Sequence, residues 1–134
     1  MTATHLVTFR IGDRVYAAPL EDVREVVRLT GLADLPGTSA PFAGVLDLRG
    51  SALPVLDLRL AAGGTDGDVL VLVAPGVAAV GVAVDGVAGV VRESELPRGD
   101  EGSGELPAYV LEVRRGAAGP VFVVDLRRMV DSRR

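Results

Sequence analysis

Gly44-Val45-Leu46-Asp47-Leu48-Arg49-Gly50-Ser51-Ala52-Leu53-Pro54-Val55-Leu56-Asp57-Leu58-Arg59 decides how this chain is read. Two apolar runs, Gly44 to Leu48 and Ala52 to Leu58, flank Arg49-Gly50-Ser51, which predicts two strands joined by a turn. Gly50 permits the tight turn, and Arg49 is held at its rim. An Arg in that place is either presented to a partner or is a turn residue in solvent. Asp-Leu-Arg stands at 47–49 and 57–59, and again at 125–127. On a strand, its Asp and Arg share one face while Leu points to the other. The unequal spacings exclude a solenoid repeat. The plain reading of the second and third copies is a strand end carrying a solvated charge pair over a buried Leu.

Outward from this stretch the same pattern continues. His5 to Ile11 alternates, Gly12-Asp13 is a turn, and Val15 to Ala18 resumes an apolar strand, so a hairpin is expected. Pro19 to Val23 has the composition of a first helical turn, and the β-branched run after Glu25 predicts a strand. Gly31 to Phe42 reads as a loop. Ala61 to Asp68 reads as a flexible connector. Val69 to Val73 and Val77 to Val84 predict a hairpin around Ala74-Pro75-Gly76. Asp85-Gly86 reads as a tight turn before a strand from Val87 to Glu93. Leu96 to Pro107 is a long acidic loop, expected to be mobile. Tyr109 to Val113 and Pro120 to Leu126 predict a last strand pair around Arg114 to Gly119, followed by one helical turn from Arg127 to Val130. Val82 and Val84 are expected in a central, fully apolar seam.

This yields roughly ten short strands and almost no helix. The expected fold is all-β: two five-stranded small barrels sharing a seam, which a chain of 134 residues needs to bury enough surface. The approximate halves are 1–64 and 65–134, with strands free to exchange between them.

Composition removes whole classes of chemistry. There is no Cys, which excludes disulfides, thiolate metal sites and a Cys nucleophile. A single His, His5, argues against a histidine metal site and against most general acid–base schemes. Ser39, Ser51, Ser94, Ser103 and Ser132 have no base to activate them. No phosphate-binding or dinucleotide glycine motif occurs. Asp85-Gly86 resembles half of an aspartic-protease site but lacks the intervening hydroxyl residue and a partner carboxylate. No enzyme, cofactor or metal is expected. The net charge of −4, with no Lys, no Trp and 4% aromatics, makes a small-barrel nucleic-acid binder a poor third reading. No signal peptide or spanning run is evident, so a cytoplasmic protein without membrane insertion is expected.

The stretch 44–59 resembles the signature of the CheW-like family: Gly, two apolar residues, Asn-Leu-Arg-Gly, three variable residues, Pro, two apolar residues, Asp-Leu-Arg. Asp47 stands where the family has Asn. Phe9 to Tyr16 resembles the family's first hairpin. Leu20 to Val26 is similar to its turn and Val-x-Glu-apolar strand. Gly81 to Val87 is similar to its Gly-apolar-x-Val-Asp-x-Val strand, and Val121 to Met129 to its closing segment.

The resemblance implies two SH3-like five-stranded barrels and a non-catalytic coupling protein of chemotaxis. Such a protein bridges the cytoplasmic tip of methyl-accepting chemoreceptors to the regulatory domain of a CheA-type histidine kinase. An alternative is a CheW-like interaction module in a non-flagellar chemosensory or other signalling assembly. Carried over residue by residue, the implied partner-binding positions are Val23, Glu25, Val26, Asp47, Arg49, Gly50, Asp57, Val84 and Val87. At least one of Val23 and Val26 is expected to be exposed. Glu25 and Arg49 are expected to form a salt bridge across neighbouring strands of the first barrel, close to the seam. Asp47, on the same strand face as Arg49, competes for its guanidinium.

Overall fold

The computed structural model describes residues 4–33, 42–59, 66–72, 79–99 and 105–132. Its strands are β1 (His5–Ile11), β2 (Arg14–Pro19), β3 (Val23–Arg28), β4 (Gly44–Leu48) and β5 (Ser51–Asp57). They continue with β6 (Asp68–Leu72), β7 (Val80–Val84), β8 (Gly86–Arg92), β9 (Val110–Gly116) and β10 (Gly119–Val124), and a short helix α1 (Leu126–Asp131) follows. Short 3₁₀ turns occupy Leu20–Asp22 and Glu93–Glu95. Most of the expected connector (61–65), the Ala74-Pro75-Gly76 turn, most of the 31–42 loop and the tip of the acidic loop lie outside the described residues, while Asp68, expected in the connector, starts β6.

The strands form two five-stranded sheets, ordered β8-β1-β2-β10-β9 and β3-β6-β7-β5-β4. The fold is all-β, as expected. Each sheet takes three strands from one half of the chain and a hairpin from the other, so neither sheet is the half 1–64 or the half 65–134. Both sheets pair alike: an antiparallel edge, an antiparallel hairpin, a parallel join and a second antiparallel hairpin. The chain is thus two repeats, β1–β5 and β6–β10, with their first hairpins exchanged.

Each sheet curls so that the segment following one edge strand bridges to the opposite edge strand. Beyond β3, Ala33 exchanges two 2.9 Å backbone bonds with Val45 of β4. Beyond β8, Arg98 bridges to Arg114 of β9, flanked by bonds from Gly99 to Val113 and from Arg115 to Pro97. Pairing these edges satisfies backbone groups that would otherwise be open to another chain.

Alternation sends side chains into three cores. In β6, Val69 and Val71 face one sheet's interior with Leu46, Leu53 and Val55. Leu70 and Leu72 face the seam between the sheets with Val7, Phe9, Val82, Val84 and Leu126. In β1, Leu6 turns the other way, into the second interior with Ala17, Val121 and Val123. Burial on both faces explains why β6 and β7 read as continuous apolar runs.

Several expectations need correction. Asp85-Gly86 is not a hairpin turn: β7 and β8 lie in different sheets, and Asp85 is the crossover. Its carboxylate accepts from Gly12 N at 2.6 Å, while its own N–H donates to Arg10 O. Asp57-Leu58-Arg59 is no solvated pair: Arg59 is buried, and its Nε and Nη2 donate to the two Asp57 oxygens at 3.0 and 2.8 Å. Leu126 is helical rather than extended, because Asp125 caps α1 by accepting from Arg127 N and Arg128 N. The last hairpin turn shrinks to Ala117-Ala118, between Gly116 and Gly119.

Candidate functional site

The β4–β5 connection has two central residues, both with positive φ: Arg49 at 49° and Gly50 at 87°. That pair is the type I′ turn whose twist matches a hairpin. Gly meets the requirement at no cost; Arg, with a Cβ, does not. The Asp47 carboxylate accepts from Gly50 N at 2.9 Å and holds the turn. It therefore serves the turn and not the guanidinium for which it was expected to compete.

Glu25 reaches the turn because β3 carries a bulge. Val23 lies opposite Leu72 and Glu25 opposite Val71, with Arg24 as the extra residue. Leu72 faces the seam and Val71 the sheet interior, so residues two apart point to different sides. Arg49 Nη1 and Nη2 donate to the two Glu25 oxygens at 2.9 and 2.7 Å. These bonds hold the Glu25 carboxyl below its usual range and raise Arg49. The expected pair forms, but not across neighbouring strands: β3 and β4 are opposite edges of one sheet, and the pair joins those edges. The bonds use two of the guanidinium's five N–H donors, and the Arg49 side chain is 67% exposed. Beside the turn lies an open cleft of about 390 Å³, lined by Arg24, Leu48, Arg49, Ser51, Leu53 and Ala79.

The bulge also sorts the valines. Val23 and Val26 lie opposite Leu72 and Leu70, on the seam face. Val23 packs against the seam core, whereas Val26 at the sheet edge is 42% exposed. At least one of the two is exposed, as expected. Val87, half-buried, packs against the same core from β8.

Two of the implied partner-binding positions are covered, Val84 wholly, as the apolar-seam reading expects, and the Asp57 side chain to 11% exposure. Val84 has no exposure and belongs to the seam core, because β7 is the middle strand of its sheet. Both Asp57 oxygens are taken by Arg59. Burial pushes Asp57 up, but the Arg59 donors outweigh it and its carboxyl lies below the usual range. The structure brings Glu25, Asp47, Arg49 and Gly50 to one corner.

Sequence reasoning missed the counterpart at the other sheet. Arg114, buried on β9, donates from Nη2 to Glu93 Oε1 at 2.6 Å and from Nη1 to Leu96 O at 2.6 Å. Its Nε lies 2.8 Å from Glu112 Oε1, in ion-pair contact without hydrogen-bond alignment. Glu93–Arg114 crosses the β8–β9 closure as Glu25–Arg49 crosses that of β3–β4. The sequence shows the equivalence of the two edge strands, since Val23-Arg24-Glu25-Val26-Val27-Arg28 and Val87-Ala88-Gly89-Val90-Val91-Arg92 share a Val-x-x-Val-Val-Arg pattern, but Gly89 stands where Glu25 does, so it does not point to Glu93 or Arg114. Both bulge at the same point, Arg24 and Ala88 being the extra residues. Among the described residues no group of three His, Asp or Glu could hold a metal.

The arrangement presents an oriented, exposed guanidinium at a surface corner. A family model for the CheW-like domain matches residues 5–134. The chain belongs to the CheW-like family. A similar relative is the probable chemotaxis protein CheW of Rhizobium etli, 28% identical over 91% of this CheW-like chain and 79% of that protein. Protein FrzA of Myxococcus xanthus is 48% identical over 50 residues, 37% of this chain and 31% of its own. The crystal structure of the scaffolding protein TtCheW from Thermoanaerobacter tengcongensis matches with a TM-score of 0.71. The match covers 94% of this chain and 86% of that one at 21% identity, which shows a shared fold. Among the described residues, no helix of this CheW-like chain is long and apolar enough to cross a membrane.

Proposed function

We propose that this chain is a non-enzymatic coupling protein of chemotaxis that acts in the cytoplasm. It would bind the regulatory domain of a CheA-type histidine kinase and the cytoplasmic tip of chemoreceptors, and hold the two together. The observation that carries this reading is the CheW-like match over residues 5–134, nearly the whole chain. The relative from Rhizobium etli, aligned over most of both chains, supports it. The corner at Glu25 and Arg49 is the contact surface of choice: its backbone is held by the turn, its guanidinium is oriented, and exposed Val26 lies on the same edge strand as Glu25. Fixed aromatic, Arg and apolar anchors are what interfaces use, since little entropy is lost on binding.

The test is co-purification of the chain with the regulatory domain of its cognate CheA-type kinase and with a receptor tip fragment. A ternary complex is expected. Binding to the kinase without the receptor would point to an interaction module in another signalling assembly. Binding to neither would sink the proposal.

A further inference from the structure

Neither repeat completes a sheet by itself. Ladders within a repeat are confined to the hairpins β1–β2 and β4–β5 in the first and β6–β7 and β9–β10 in the second. The other four ladders, β1–β8, β2–β10, β3–β6 and β5–β7, all run between repeats. The seam core likewise mixes Val7 and Leu56 from the first repeat with Leu70, Val82 and Val124 from the second.

We propose that a second copy of this chain can supply the missing repeat. Two chains would exchange their β1–β5 and β6–β10 units and close into a two-fold dimer of complete folds. All eight ladders and three cores keep their residue partners in that dimer; only the path of the chain through residues 60–65 changes. Arg59 Nη1 donates to Asp66 O at 2.9 Å, and Leu29 N donates to Gly67 O at 3.1 Å, beside that path. Each bond joins a residue of the first repeat to one of the second, so both form equally in the exchanged dimer.

Chain length permits the exchange. Asp57 is level with Ala83, and Ala83 with Val69. The end of β5 and the start of β6 therefore lie two strand spacings apart, about 10 Å. With Arg59 and Asp66 kept in place, the intervening residues 60–65 can extend to roughly 20 Å, more than the return within one molecule requires. A tether of this length holds the repeats at an effective concentration on the order of millimolar. The single chain therefore prevails in dilute solution, and exchange competes when folding occurs near that concentration.

The absence of Cys allows a direct test. His5 and Arg92 are opposite each other in the β1–β8 ladder, one from each repeat. The neighbouring bond from Glu93 N to Thr4 O makes 5/92 a non-hydrogen-bonded pair, whose close approach suits a disulfide. The double variant H5C/R92C is unfolded under reducing conditions, refolded at micromolar and near-millimolar concentration, separated by size and then oxidised. Dilute refolding should give monomer with the disulfide within the chain. Concentrated refolding should give a fraction of doubled mass that stays a covalent dimer on a non-reducing gel, whereas the single variant H5C gives no such retention at matched concentration. Monomer alone at both concentrations would overturn the proposal. So would a dimer whose disulfides close only within each chain, the mark of two complete folds touching face to face. The unsubstituted chain, refolded in parallel and measured by light scattering, should show the same concentration-dependent doubling; its absence overturns the proposal even if the double variant does not fold.

Discussion

Glu25 and Arg49 hold each other by two hydrogen bonds of 2.9 and 2.7 Å across the opposite edges of one sheet. The backbone bridge from Ala33 to Val45 closes the same edges, so the closure does not rest on the ion pair alone. An exposed pair of this kind contributes little to stability. Its consequence is geometric: it orients a planar donor group on a turn that cannot move far.

Arg49→Ala should keep its melting temperature within a few degrees of the parent and lose kinase binding and receptor-coupled kinase activation. Arg49→Gly removes the strain of a side chain at positive φ. It should melt no lower than the parent and bind as poorly as Arg49→Ala. Thermal unfolding by circular dichroism, run beside a kinase pull-down, separates the two effects. An Arg49→Ala chain unfolded at room temperature would make Arg49 a structural residue.

Val26 and Val82 are the same residue type with opposite placements. Val82 has no exposure and sits in the seam core; Val26 is 42% exposed. Val82→Asp buries an unpaired carboxylate and should cost several kcal/mol, enough to prevent folding. Val26→Ala should leave stability within about 0.5 kcal/mol and weaken partner binding. Loss of stability without loss of binding in Val26→Ala would place it in the core.

Gly81 has no room for a methyl group. A Cβ there would meet Val69 Cγ1 at 2.8 Å, Leu53 Cδ2 at 2.9 Å and Val55 Cγ2 at 3.3 Å, all core side chains. Gly81→Ala should cost about 1–3 kcal/mol through overpacking, read as a lower urea midpoint with an unchanged slope.

Two carboxyls give opposite pH dependences. Asp57 lies below its usual range because the Arg59 donors outweigh the upward push of burial. Its contribution is complete above the unfolded value of 3.8 and is lost as pH falls through the folded value. Asp22 is raised, first by burial and then by the Asp125 charge. Stability from Asp22 is therefore lost as pH rises from 3.8 through its raised value. Asp22→Asn should stabilise the chain at pH 7 and have little effect at pH 3. Asp57→Ala removes the carboxylate that takes the Arg59 Nε and Nη2 donors and should cost about 3 kcal/mol at pH 7, most of it gone in strong acid. Urea unfolding from pH 7 down into strong acid, well below 3.8, reads both signs.

Strand positions were legible because each strand alternates and each turn carries its own residues. His5–Ile11, Gly44–Leu48 and Val80–Val84 follow from apolar runs, and Gly12-Asp13 and Arg49-Gly50 from turn chemistry. The Glu25–Arg49 pair came from the resemblance carried by residues 20–26 and 44–59, since no local rule links residues 24 positions apart.

What local pattern determined about this protein is where the chain extends and where it turns, because those choices are made within a few residues. Which strands become neighbours was decided only in the folded chain. A hydrogen-bonded edge accepts any strand of suitable length, and burial of the shared seam selects among the possible partners. That selection placed β1 and β2 with the second repeat, made the Asp85 turn a crossover between sheets, and sank Arg59. It also explains Arg114: a guanidinium is stable when buried only where carbonyls and carboxylates converge on it, here Glu93 and Leu96 from a distant segment beside its strand neighbour Glu112.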